Sequence, residues 1–86
     1  MDQSTASFKE KLDNTYSFPS LYMFKFIVKP EQVSEIENLF TKHEVILKPS
    51  SGGKYVSTTV KIMASSSQEI IDHYKEAAKI EGIISL

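Results

Sequence analysis

The stretch Lys48-Pro49-Ser50-Ser51-Gly52-Gly53-Lys54-Tyr55 has the clearest capacity for chemistry in this chain. Two serines offer hydroxyls, two adjacent glycines let backbone N–H groups converge, and Lys48 and Lys54 supply positive charge. Together such groups could hold a phosphate or carboxylate. A plainer account of the same residues is a tight turn, in which the glycines adopt positive φ and the serines solvate the bend. The spacing is not that of a P-loop, which needs Gly-x-x-x-x-Gly-Lys-Ser/Thr.

Other polar residues form weaker patterns. His43 and His73 belong to no His-x-x-x-His or His/carboxylate cluster of metal-ligand spacing, so no metal is assigned. His43 is expected at the C-terminal end of a helix, on its inward stripe, and His73 on a solvated helix face four residues after Glu69. Ser65-Ser66-Ser67 reads as a loop and cap, and no Gly-x-Ser-x-Gly elbow exists. Asp13, Asp72 and the glutamates are scattered rather than paired for acid/base work. No catalytic residue and no cofactor is assigned.

The elements that position the Lys48–Tyr55 stretch follow from periodicity. Leu21 to Lys29 alternates as a strand, with Tyr22, Phe24, Phe26 and Val28 on the core side and Met23, Lys25 and Ile27 on the other. Pro30 suits a first helical position, and Val33, Ile36, Leu39, Phe40 and His43 form the inward stripe of a helix reaching about His43. Val45 to Lys48 and Lys54 to Ala64 are β-prone and flank the glycine turn as a hairpin. Ser66 with Glu69 is a capping box for a second helix that buries Ile70, Ile71, Tyr74, Ala77 and Ala78. Gly82 to Leu86 forms the last strand. Ahead of all this, residues 1–17 read as an arm whose first six residues are mobile. Ser7 and Glu10 cap a short helix there, with Phe8 and Leu12 inward.

The order β-α-β-β-α-β, with right-handed crossovers placing both helices on one face, specifies an α+β ferredoxin-like sandwich over residues 18–86. Its other sheet face would expose Met23, Lys25, Ile27, Tyr55, Lys61 and Met63. A patch of that kind calls for a cover, either the arm through Phe8, Leu12, Tyr16 and Phe18, or a second protein chain.

Composition narrows the partners. The 86 residues are 41% hydrophobic and 24% charged, as expected of a chain that folds, and at this size roughly 60% of the unfolded surface is buried. With 10 basic and 11 acidic side chains and a net charge of -1, nothing draws the whole molecule to a polyanion. RNA recognition on this sheet topology also needs stacked aromatics, and the open face offers only Tyr55. Nucleic acid is therefore not an expected partner. The absence of cysteine excludes disulfides and thiolate chemistry and suits a reducing compartment. No apolar run approaches a membrane span or signal segment, so the expectation is a cytoplasmic protein.

From Leu12 on, the chain resembles the YbeD-like family (domain of unknown function 493). The resemblance rests on Phe18-Pro19 ahead of the first strand and on Lys48-Pro49-Ser50-Ser51 with the following glycine and Tyr55. Gly52 stands where that pattern has a longer or charged side chain, and Thr58 where it has an aliphatic one. The resemblance implies a fold similar to the ACT regulatory domains, which bind small molecules at subunit interfaces. It implies no catalytic activity, and an association with lipoate attachment suggests a regulatory link.

The expected function is a regulatory or adaptor domain acting through protein–protein contact, with homodimerisation as one form. Sensing a small anionic ligand is the alternative. An enzyme comes third, because no catalytic constellation is present.

Overall fold

Alternating bulky residues make Ser20–Val28 the first strand, β1, which buries Phe24, Phe26 and Val28 and leaves Leu21, Met23 and Lys25 exposed. The computed structural model describes residues 3–86, with side chains from Ala6 onward. Strands β2 (Val45–Pro49), β3 (Val56–Ala64) and β4 (Ile84–Ser85) join β1 in the order β2-β3-β1-β4, every neighbour antiparallel. Helix α1 (Gln3–Thr15) precedes β1, α2 (Val33–Leu39) links β1 to β2, and α3 (Ser67–Ala77) links β3 to β4. The four strands and two crossover helices make the expected ferredoxin-like βαββαβ arrangement, with α1 added in front.

Each crossover helix starts where its sequence satisfies free backbone donors. A single 3-10 turn, Pro30–Gln32, leads into α2, and the Gln32 amide accepts from the Lys29 N–H at 3.0 Å while donating to the Glu81 carbonyl at 2.7 Å. That one side chain ties the start of α2 to the loop before β4. At α3, the Ser66 hydroxyl accepts from the Glu69 N–H at 3.2 Å. The Glu69 carboxylate returns to the N–H of Ser65 at 2.8 Å, one residue earlier than a capping box places it.

Helix α1 packs on the same side of the sheet as α2 and α3. Leu12 is 4% exposed within the common core, and Phe8 meets Tyr74 edge-on at 5.7 Å between ring centroids. Tyr16 meets Tyr22 at 5.6 Å, and the Lys9 ammonium bridges Asp13 and the buried Ser67 hydroxyl at 3.2 and 3.1 Å. The Ser67 hydroxyl, with Lys9 beside it, holds the Asp13 carboxyl below its usual range. Phe8, Leu12 and Tyr16 recur every four residues, and one helical stripe suits one groove. The groove taken is the one lined by Tyr22 and Tyr74.

This placement removes the arm from the two expected covers of the open face, the arm or a second chain: its apolar stripe is spent on the opposite side. Helix α1 also runs through Ser7, so Ser7 is not a cap. Gln3 to Ala6 are helical rather than mobile, and Met1 and Asp2 of that expected mobile stretch lie outside the described residues. The α2 helix ends at Leu39 and the chain turns through 40–42, which swings His43 out to solvent instead of inward. Ala78, at the end of α3, is exposed. His73 is half-buried rather than solvated, its ring 5.4 Å from Phe24 and 5.0 Å from Phe40.

Two measurements follow from this packing. In urea unfolding, Leu12→Ala should cost about 3 kcal/mol, because it removes a buried side chain. Leu21→Ala on the open face should cost less than about 0.5 kcal/mol. In the second, burial and then the Tyr22 hydroxyl, 2.9 Å away, push the Tyr74 phenol well above the ordinary tyrosine range. The native state keeps this proton where the unfolded chain has lost it, so the contribution is complete below about pH 10 and lost above it. Stability titrated through that range should fall, and Tyr74→Phe should flatten the fall.

Candidate functional site

The sheet face opposite the helices carries no element of the chain among the described residues. Strand register fixes what it presents. Leu21 lies opposite Met63, Met23 opposite Lys61, and Lys25 opposite Thr59, which in turn lies opposite Ile46. Ile27 lies opposite Ser57, and Ser57 opposite Lys48. Met63 is 64% exposed, Leu21 57% and Met23 54%, so the apolar part of this face is open to water. Five of the six expected face residues, Met23, Lys25, Tyr55, Lys61 and Met63, are exposed, and Ile27 is half-buried.

The hairpin stands at one end of this face. Its turn is closed by the Ser50 N–H donating to the Tyr55 carbonyl at 2.8 Å and the Gly53 N–H donating to the Ser50 carbonyl at 2.9 Å. The Ser50 hydroxyl accepts from the Tyr55 N–H at 3.2 Å. Three backbone donors and one hydroxyl are thus engaged within the turn. Ser51, Gly52 and Lys54 are exposed around it, together with Lys48 at the end of β2.

Folding joins the two expected sites into one. A hollow of about 340 Å³ lies between hairpin and sheet, lined by Ile27, Lys48, Pro49, Ser50, Tyr55 and Ser57, and its walls are almost entirely apolar. The volume is at the lower end of small-ligand sites. Pro49 was read only as part of the hairpin stretch, and Ser57 and Ile46 were not assigned to the site, although period-two alternation from Lys48 places Ile46 on this face. A second hollow of about 230 Å³ brings Phe40, His43, Glu69 and His73 together at one end of α2 and α3. The Glu69 carboxylate there is engaged by the Ser65 N–H. No three metal-ligating side chains gather at metal geometry among the described residues, and no described helix is long and apolar enough to cross a membrane.

The turn's two glycines are not equivalent. Gly53 has φ +71, where a Cβ is strained by about 1 kcal/mol, whereas Gly52 has ordinary φ and open space around it. Gly53→Ala should therefore lower the urea midpoint by the equivalent of about 1 kcal/mol, and Gly52→Ala should leave it unchanged within about 0.5 kcal/mol. A longer side chain at position 52 is compatible with this hairpin.

A family of proteins of unknown function, DUF493, matches residues 13–86, which span the end of α1 and everything after it. The chain is similar to UPF0250 protein SG0794 of Sodalis glossinidius, 30% identical over 80 residues that cover 85% of this chain and 92% of that one. UPF0250 protein YbeD of Escherichia coli and of Shigella boydii is 29% identical over the same coverage. No solved structure matches the chain. With nearly its full length matched, and with the Lys48–Tyr55 hairpin and open sheet face inside the matched region, the chain belongs to the DUF493 family of proteins of unknown function.

Proposed function

We propose that this protein is a cytoplasmic regulatory or adaptor module that acts by binding another protein through the open face of its sheet. The observation that carries the reading is the position of α1. The one element long and apolar enough to cover the face packs on the opposite side, leaving Leu21, Met23 and Met63 more than half exposed. Small monomers rarely leave such residues contiguous and bare unless something docks there. The hollow beside Tyr55 adds a concave anchor point at the end of the face, the kind of feature on which binding energy concentrates.

A second reading draws on the same hollow. At about 340 Å³ it has room for a small ligand whose apolar body lies against Ile27, Pro49 and Tyr55 with an anionic end at Lys48. Such a ligand binds the native state alone and so raises the melting temperature.

The protein-binding reading predicts a loss on substitution. Met23→Asp with Met63→Asp replaces two exposed side chains and should leave the melting temperature within a few degrees of wild type. A partner captured from native lysate by the wild-type chain should be absent from the capture by this double variant. Equal capture by both proteins refutes docking at this face.

A further inference from the structure

Ten of the protein's eleven carboxylate side chains belong to described residues, and none of those ten lies in a strand, although the net charge is -1. The strands contain three lysines, Lys25, Lys48 and Lys61, and register turns all three onto the open face, where all are exposed. The nearest carboxylate by register, Glu44, precedes β2 and makes no ion pair with Lys61 among the described residues. A mildly acidic protein thus presents one face whose strand charges are all positive.

The lysines are also spaced in step with the apolar groups. Three successive rows across β1, β3 and β2 each set one lysine with one apolar side chain, Met23 with Lys61, Lys25 with Ile46, and Ile27 with Lys48, and β4 adds Ile84 beside Ile27. Rows two residues apart along a strand are separated by about 7 Å. An extended segment lying along the strands presents successive facing side chains at that same interval. Where the rows end lies the hollow between Ile27, Pro49 and Tyr55, with room for one bulky apolar side chain.

From this pattern, and resting on the docking function proposed above, we infer that the partner presents an extended acidic segment. Its carboxylates pair with Lys25, Lys48 and Lys61, and its apolar side chains lie on Met23, Ile46 and Ile27 and enter the hollow beside Tyr55. A second copy fits poorly face to face, since a twofold axis sets a face whose strand charges are all positive against itself. An anionic membrane fits poorly as well. The β2 edge at Val45–Pro49 carries backbone groups with no neighbouring strand, and these resist entry into hydrocarbon.

The test selects random short peptides displayed on phage against the full chain, then maps the winners by amide shifts in NMR. Enriched peptides should interleave Asp or Glu with aromatic or aliphatic residues and should shift β1, β3 and the Lys48–Tyr55 hairpin. Their affinity should fall with added salt, and by about tenfold or more in a Lys25→Glu, Lys48→Glu, Lys61→Glu variant with an unchanged circular dichroism spectrum. A peptide with its acids replaced by lysine should recover affinity for that variant. Winners without acidic residues, or acidic winners indifferent to the triple substitution, overturn the charge inference while leaving docking at this face intact. Peptides that shift only the helical side, or none that bind, overturn both. Dimerisation of the free chain through this face overturns the acidic-segment assignment, as does a preference for phosphatidylserine vesicles over every peptide.

Discussion

Phe24 is the contact on which the rest of the structure depends. Its ring is fully buried and lies within 4.9 to 6.0 Å of the rings of Tyr22, Phe26, Phe40, His73 and Tyr74. Those groups come from β1 itself, the end of α2 and the middle of α3, so one side chain joins the sheet to both crossover helices. Through Tyr22 and Tyr74 the cluster extends to Phe8 of α1 and to Tyr16 just beyond it. Aromatic rings bury the largest apolar areas available to a small chain, and here most of them converge on one side of β1. In a chain of 86 residues this leaves no apolar element among the described residues for the sheet's other side. The bare face is thus a consequence of how the core is built.

Most of the fold was legible because its signals are local and periodic. Alternation in β1 and β3 assigned each face correctly, residue by residue, and the Ser66–Glu69 cap started α3 where its spacing indicated. The failures fall where tertiary contact overrides local pattern. Ser7 looked like a cap, yet the helix begins four residues earlier, at Gln3, and Ser7 lies inside it. His73 looked solvated because its own helix offers it a polar neighbour at Glu69. The Phe24 and Phe40 rings that half-bury it come from elements 30 to 50 residues away in the chain.

The candidate site was legible in parts and illegible as a whole. Hairpin and open face emerged separately, one from turn chemistry and one from alternation, and only the β1–β3–β2 register brings Ile27 across to Pro49 and Tyr55. The same register shifts the chemical emphasis of the hairpin. Read as residues, Ser50-Ser51-Gly52-Gly53 suggests converging N–H donors. In the folded turn, Ser50 and Gly53 donate to the loop's own carbonyls and the Tyr55 N–H is taken by Ser50, while the adjoining hollow is apolar. What the turn does well is hold Tyr55 and Pro49 as two walls of a hollow.

The lysines on the open face could be explained by solubility alone, since charges on exposed strands discourage edge-to-edge association. Edge protection does use lysine in particular, but it applies to an edge strand such as β2, whereas Lys25 and Lys61 lie in the central strands β1 and β3. For solubility at large, carboxylates serve better than lysine. The ten acidic side chains among the described residues include none in a strand, while all three strand lysines point the same way. Lysine stems also lie along neighbouring apolar surface and lift their charge clear of it, so the face keeps its apolar area beneath a movable positive layer. Such a surface is well hydrated in the free chain. On the proposed reading it would also be selective, because an apolar segment without carboxylates must desolvate lysines with nothing in return. The lysines that hydrate the face would then be the groups that select what covers it.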